Sequence, residues 1–415
     1  MTPNKLFEAA LGLSTPWYIE GINFDKENRK LNIKINFKKG SFFDYIDKET
    51  GEVEQCKAYD TKEKTWRHLN FFEHECFLVC RTPRIKTSKG NVVLVKPPWA
   101  GVSNGFTLLF EALAMQFCMN MPVKTAARLL NTYDHKFWKM IIAYVKEARL
   151  DEDFSDVSKV GMDETSQCKN HDYVTIFANM ETRKTIFVTK GKEAETVKRF
   201  AKDFKEHGGD CKNITEVSCD MSPAFIKGVK EELPEAKITF DKFHIIKIIN
   251  KAVDKVRKAE VRENEILKGT KYIFLKNNNN LTEVQRLILE DLSLKSLNLK
   301  TIRALHIREN FQEIYLASNE EIFEKLLKKW YFWATHSRLK PIIEAAYTIK
   351  RHWEGVVRWK KSQLNNGVLE GLNSLIQAAK TKARGYRTFD CFKAIIYLLT
   401  ADLDFAKINP AIISK

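Results

Sequence analysis

The spacing of apolar positions changes three times along the chain, and each change predicts a different kind of element. From residue 15 to 100 the period is two. In "KLNIKINF" (Lys30–Phe37), Leu31, Ile33, Ile35 and Phe37 alternate with polar residues, as in a half-buried strand. "ECFLVCRTPRIK" (Glu75–Lys86) puts Cys76, Leu78 and Cys80 on one face in the same way. From 105 to 150 the period becomes helical. "GFTLLFEALAMQFCMN" reads as one helix, "MPVKTAARLL" as a short second with Pro122 at its start, "NTYD" as a turn and "HKFWKMIIAYVKEARL" as a third. Two readings of this trio stand side by side. One is a helix-turn-helix whose last helix enters a DNA groove through His135, Lys136 and Lys139; the other is an ordinary three-helix bundle. Trp138, Ile141 and Ile142 read as inward-facing in both.

Between 155 and 260 strands and helices alternate. "SKVGMDE" (Ser158–Glu164), "DYVTIFANM" (Asp172–Met180) and "KTIFVTK" (Lys184–Lys190) predict three hairpin-linked strands. A helix over "AETVKRFAKDFKEHGG" follows, then strand "ITEVSCD" and a helix begun by Ser222 and Pro223. Strand "AKITFD" and the helix "FHIIKIINKAVDKVRK" close the series. The order β-β-β-α-β-α-β-α is the ribonuclease H-like arrangement, in which the first and fourth strands lie side by side. Residues 261–360 carry helical patterns throughout. Their tryptophans, Trp330, Trp333, Trp353 and Trp359, read mainly as anchors of a helical core, with DNA contact as the alternative.

The fold expected is therefore an α/β catalytic domain of ribonuclease H-like type, interrupted by an all-α insertion and preceded by a small β-rich module and a helix-turn-helix. The expected boundaries are 1–100 for the β-rich module, 101–150 for the helix-turn-helix and 151–260 for the first part of the core. The helical insertion is expected at 261–360, and a late helix with C-terminal helices completing the core at 361–415.

Charge narrows the function. Lys plus Arg number 69 against 53 Asp plus Glu, a net charge of +16, which points to a polyanionic partner such as double-stranded DNA. No apolar run reaches the roughly 18 residues that span a bilayer, and the first residues read as mature sequence with no signal peptide. The eight cysteines are scattered, as suits reduced thiols in a cytosol. Cys76 and Cys80 have only Cys56, His68 and His74 as nearby ligand types, so no complete tetrahedral zinc site is visible and the cysteines read as strand core.

Three acids stand out by position. Asp163 falls in the first strand of the mixed sheet, Asp220 ends the fourth, and Glu370 lies on a late helix that runs into Lys380, Lys382, Arg384 and Arg387. Phosphodiester cleavage needs an activated nucleophile and a stabilised leaving oxygen. Two divalent ions roughly 3.5–4 Å apart supply both when a few carboxylates hold them. Oxygen-only ligands favour Mg2+ or Mn2+. Asn366, Glu370, Asn373 and Gln377 share one helical face and Leu369, Leu372 and Ile376 another, so a polar stripe is available to such a site. The bases beyond it suit phosphates. Glu164, on the opposite strand face, is chemically as good a carboxylate as Asp163, and spacing alone leaves that choice open.

Three stretches, "VGMDETSQCKNHDYVTIFANM", "ITEVSCDMSPAFIKGVKEELPEAKITFDKFHIIK" and "NNGVLEGLNSLIQAAKTKARGYRTF", resemble the bacterial DDE transposases of the insertion-sequence L-three group. "LFEAALGLSTPWYI" and "PPWAGVSNGFTLLFEALAMQF" extend the likeness over most of the chain. The resemblance implies catalytic and metal-binding roles for Asp163, Asp220 and Glu370, with two Mg2+ or Mn2+ ions. It implies binding of the element's terminal inverted repeats, strand cleavage and strand transfer to target DNA, by a homodimer or higher assembly in the bacterial cytoplasm, associated with the nucleoid. The family's N-terminal module binds zinc through cysteine pairs. Here only Cys56 remains near those positions, so the module reads as a degenerate one. His244, in "FDKFHII", falls near the carboxyl ends of the strands, either against the scissile phosphate or as a packing or capping residue. Two rival functions remain, a DNA-binding regulator and a nuclease without strand transfer.

Overall fold

The computed structural model describes residues 2–47, 50–103, 105–167, 172–294, 297–362, 364 and 367–412. Cys168 and Asn366 lie outside the described residues. The chain forms two compact units. One comprises Met1–Glu152 with Ala379–Lys415, the other Asp153–Ala378. The chain after Ala379 thus groups with the N-terminal segments.

The first unit contains α1 (Pro3–Ala10), β1 (Trp17–Asp25), β2 (Lys30–Phe37), β3 (Phe42–Ile46), β4 (Val53–Phe71), β5 (His74–Lys86) and β6 (Val92–Leu94). The helices α2 (Leu108–Asn120), α3 (Val123–Leu129) and α4 (Asp134–Arg149) follow. The sheet order is β1-β2-β5-β4-β3, with β6 added to β5. The period-two pattern dictates its register. Leu31, Ile33 and Ile35 sit directly opposite Cys76, Leu78 and Cys80 on β2 and β5, so every second side chain enters one core. Cys56 joins that core. Burial pushes the Cys76 thiol up to about 11 and the Cys80 thiol to about 12, so both are protonated apolar side chains at neutral pH.

Behind the sheet, α2 carries a fully buried carboxylate. Glu111 accepts hydrogen bonds from the backbone N–H of Val102 (2.7 Å) and Ser103 (2.9 Å), from the Ser103 hydroxyl and from the Tyr144 hydroxyl at 2.8 Å. Asn409 Nδ2 in turn donates to the Tyr144 oxygen at 2.9 Å, tying the C-terminal segment to α4.

The second unit is built on β7 (Lys159–Ser166), β8 (Tyr173–Asn179), β9 (Lys184–Lys190), α5 (Glu195–Glu206), β10 (Glu216–Cys219), α6 (Pro223–Glu232), β11 (Lys237–Phe240) and α7 (Lys242–Glu260). The helices α8 (Lys271–Leu275), α9 (Glu283–Leu292), α10 (Lys300–Ile314), α11 (Glu320–Thr335), α12 (Lys340–Arg351) and α13 (Trp353–Ser362) come next. Then α14 (Gly367–Ala383), within which the two units divide, and α15 (Phe389–Thr400) end the chain. The sheet order is β11-β10-β7-β8-β9, antiparallel across the hairpins and parallel for β7–β10 and β10–β11. The first and fourth strands of this segment are neighbours, as the element order predicts.

One face of this sheet buries Val160, Met162 and Val217 under α5, α6 and α7, in a core that continues without interruption into Leu305, Phe311 and Trp330 of the helical stretch. The 261–360 helices therefore share the core of the sheet. Trp330 is a core anchor whose indole N–H donates to the Ile307 carbonyl at 2.8 Å; Trp333 is exposed. The opposite face receives α14, whose Leu369 and Leu372 pack with Ala178 and Met180.

Candidate active site

Three aspartates line up across three adjacent parallel strands. Gly161 on β7 is level with Ser218 on β10, and Cys219 is level with Phe240 on β11. Carried forward at that register, Asp163, Asp220 and Asp241 fall in one row, with strands about 4.8 Å apart. Asp220 and Asp241 each follow the last residue of their strand. Each also accepts a hydrogen bond from the backbone two residues on, Ser222 N at 2.9 Å and Phe243 N at 3.1 Å. Asp241 is thereby the N-cap of α7. Asp163 and Asp220 are candidates expected from the sequence; Asp241 is not among them. Its signal was present, because "SCD" and "TFD" end two parallel strands in the same way.

Electrostatics couple the row. Burial raises the Asp163 carboxyl above the ordinary range; the charges of Asp220 and Asp241 add to that, and the Glu164 backbone N–H and His244 oppose it. His244 sits one turn into α7 with Nδ1 2.8 Å from Asp241 Oδ2. That hydrogen bond raises the imidazole above its usual 6.5, helped by the charges of Asp241, Asp163 and Asp220. Glu164 does not stand apart as its strand face suggested. Burial raises its carboxyl too, with repulsion from Asp220 and relief from Lys192.

Glu370 reaches this region from α14, and the docking of that helix is a register match. Side chains on one strand face recur every 6.6 Å or so, and a helical i, i+4 ridge recurs every 6.0 Å or so. Leu369 covers Gly161, where an added Cβ would clash with Met180 and come within 3.0 Å of Leu369 Cδ1. Four residues on, Asn373 Nδ2 donates to Asp163 Oδ2 at 2.8 Å; four further, Gln377 Nε2 donates to Thr165 Oγ1 at 2.5 Å. Leu369 thus belongs to the docking ridge together with two members of the expected polar stripe. Glu370 lies beside the ridge and is largely exposed. Desolvation and the charge of Asp241 raise its carboxyl, and His244 counters the rise.

Mg2+ keeps several waters and is commonly held by one or two carboxylates plus substrate phosphates. The coupled Asp163–Asp220 pair offers that donor set, and its mutual repulsion is what a cation relieves. Among the described residues no three of His, Cys, Asp and Glu converge in a metal-holding geometry. The Asp163 carboxyl feels the charges of Asp220, Asp241 and His244, and the Glu370 carboxyl those of Asp241 and His244.

The candidate DNA-contacting bases lie in the first unit. His135, Lys136 and Lys139 are exposed on α4. Trp138, between them, packs edge-on against Tyr386 with ring centroids 5.9 Å apart. Tyr386 stands between Arg384 and Arg387, both exposed, so these two arginines adjoin α4. Lys382 Nζ donates to the Asn120 carbonyl at the end of α2, at 3.2 Å. Among the described residues no helix is long and apolar enough to cross a membrane.

The sheet, the acid row and the basic elements describe a nucleic-acid-processing enzyme, and comparison with known proteins identifies its family. The family profile of DDE-type transposases of the insertion-sequence L-three group (ISL3), described as transposase, matches residues 160–396, more than half of the chain. The chain belongs to this family. Transposases act on DNA, and membership makes this a DNA-acting enzyme of transposition. The chain is 24% identical over 353 residues to the transposase for insertion sequence element IS1001 of Bordetella parapertussis, covering 82% of this chain and 86% of that protein. It is 23% identical over 441 residues to the transposase for insertion sequence element IS1557 of Mycobacterium tuberculosis, covering 96% and 95%.

Proposed function

We propose that the protein binds the terminal inverted repeats of its own element, cleaves DNA at their ends and joins the freed 3′-hydroxyl to target DNA, from a ribonuclease H-like core. The observation that carries this is the parallel register of β7 and β10, which pairs Gly161 with Ser218 and, carried two residues on, brings Asp163 level with Asp220. In this reading Asp163 and Asp220 hold the divalent ion and Glu370 joins them when DNA is bound. Mg2+ or Mn2+, once bound there, lowers the pKa of attacking water and neutralises charge on the scissile phosphate. Asp163 and Asp220 bring two fixed negative charges into a half-buried edge, where their repulsion favours a cation and a phosphate together. His244, oriented through Nδ1 by Asp241, adjoins the same edge and steadies the phosphate. The helices α3 and α4 act as the helix-turn-helix, with His135, Lys136 and Lys139 at DNA. Lys380, Lys382, Arg384 and Arg387 neutralise backbone phosphates. Two ends must be paired for joining, so the active form is at least a homodimer on DNA.

The test uses a labelled duplex carrying the element's terminal repeat, with Mg2+ or Mn2+, beside an Asp220→Asn protein. Metal-dependent nicking at the repeat boundary and joined products on added target, both absent in the variant, are expected. Repeat binding without cleavage in either metal favours a DNA-binding regulator; cleavage without joining favours a nuclease.

A further inference from the structure

We infer that Asn373 is a positioning residue for Asp163, fixing the carboxylate through which the site takes its cation. The inference rests on the reading of Asp163 as a metal-holding acid. Both Asp163 oxygens carry one directed donor. Oδ1 accepts the backbone N–H of Glu164 at 2.8 Å, and Oδ2 accepts Asn373 Nδ2 at 2.8 Å. Two donors in fixed places remove the rotational freedom of the carboxyl group and leave one lone pair on each oxygen for a further partner. The amide orientation is set by chemistry, because an amide oxygen turned toward a carboxylate would repel it. The free end of Asn373 is the second observation. Its Oδ1 is buried and has no hydrogen-bond partner among the described residues, an arrangement that is ordinarily destabilising.

A helix docked for packing alone would be better served here by leucine, which would continue the ridge begun at Leu369. Asn373 instead replaces apolar contact with one bond to Asp163 and one unsatisfied oxygen beside it. That oxygen adds a neutral donor of the hard type that Mg2+ and Mn2+ prefer, next to a carboxylate already held in place. Gln377, one ridge step further, bonds only Thr165 and serves docking.

The experiment measures Mn2+ binding by calorimetry, thermal unfolding without metal, and repeat cleavage for wild type, Asn373→Ala, Asn373→Leu and Gln377→Ala. Asn373→Leu keeps the bulk of the side chain and removes its donor and its oxygen without adding charge. Both Asn373 variants are expected to bind Mn2+ at least about tenfold more weakly and to lose cleavage in proportion, a loss of about 1.4 kcal/mol in binding. Gln377→Ala is expected to lower the unfolding temperature while its Mn2+ affinity stays at the wild-type value. Wild-type Mn2+ affinity in either Asn373 variant, or an equal loss in Gln377→Ala, overturns the inference and leaves the metal reading intact. A wild-type protein that binds no Mn2+ overturns the metal reading itself, and this inference with it.

Discussion

His244 Nδ1 lies 2.8 Å from Oδ2 of Asp241, three residues earlier, at the point where β11 passes into α7. The pair sits at the end of the acid row, so the imidazole meets negative charge from Asp241, Asp163 and Asp220 together. The folded pKa is therefore above the ordinary 6.5. A raised folded pKa means the folded protein binds more protons than the unfolded chain between the two values. The stabilisation is complete below 6.5 and disappears as pH rises through the folded value. Denaturant unfolding of wild type and His244→Asn from about pH 5.5 to about pH 9 should show a stability gap that closes with rising pH. A gap of constant size would mean that His244 acts by packing alone.

Asp220 raises the Asp163 carboxyl by repulsion. Asp220→Asn removes one like charge from a half-buried pair, so the folded protein should keep or gain stability while DNA cleavage falls by at least about 100-fold. Thermal unfolding and a nicking assay on the same preparation check both halves. Cleavage within a few-fold of wild type would remove Asp220 from the mechanism.

Gly161 marks the contact of α14 with the sheet. A Cβ there would fall 2.3 Å from the Met180 sulfur and 3.0 Å from Leu369 Cδ1, so the Met180 side chain must move and Leu369 on α14 must give way by a few tenths of an ångström. Gly161→Ala should destabilise by about 1–3 kcal/mol, the usual range for overpacking a filled core, and should depress cleavage because Asn373 and Glu370 ride on the displaced helix. Equilibrium unfolding tests the first effect. Pairing Gly161→Ala with Leu369→Ala, which frees space at the same contact, should recover part of the activity.

Glu111 is held by four donors and offers none in return. Glu111→Gln is nearly isosteric but turns an amide N–H2 toward one of those donors. A loss of about 1–3 kcal/mol is expected, the penalty for leaving a buried polar group mispaired. It should be visible in unfolding of the first unit with no change in Mn2+ binding at the acid row.

Arg384 and Arg387 flank Tyr386, which packs on Trp138 of α4. If both reach phosphates, Arg384→Ala with Arg387→Ala should reduce the slope of log affinity against log salt by about 1.8, or 0.9 per contact. Binding to repeat and to unrelated duplex should weaken alike. An unchanged slope would leave the two arginines as solvated surface.

Much of this architecture was legible in the order of residues. The two-residue period of Leu31, Ile33 and Ile35 and of Cys76, Leu78 and Cys80 needs only a pleated strand to be read, and those six residues face one another in the sheet. The β-β-β-α-β-α-β series likewise predicts the adjacency of β7 and β10, because a helical crossover returns the chain parallel to its starting strand. That reasoning put Asp220 and either Asp163 or Glu164 at the adjoining strand ends, and the family resemblance chose Asp163. Periodicity is local, and what it reveals extends only as far as one element and its connection.

The row of Asp163, Asp220 and Asp241, the bond from Asn373 to Asp163 and the packing of Tyr386 on Trp138 are of another kind. Each depends on register between segments that are distant in the chain, 210 residues apart for Asn373 and Asp163. Nothing in the helical pattern of α14 says which turn meets which strand residue. The absence of a side chain at Gly161, where Leu369 seats, and the near match of a 6.0 Å helical step with a 6.6 Å strand step fix it, roughly to within one turn. Side-chain type and spacing therefore narrowed the candidate acids, and the packing of one helix on one strand determined how Asp163 is held.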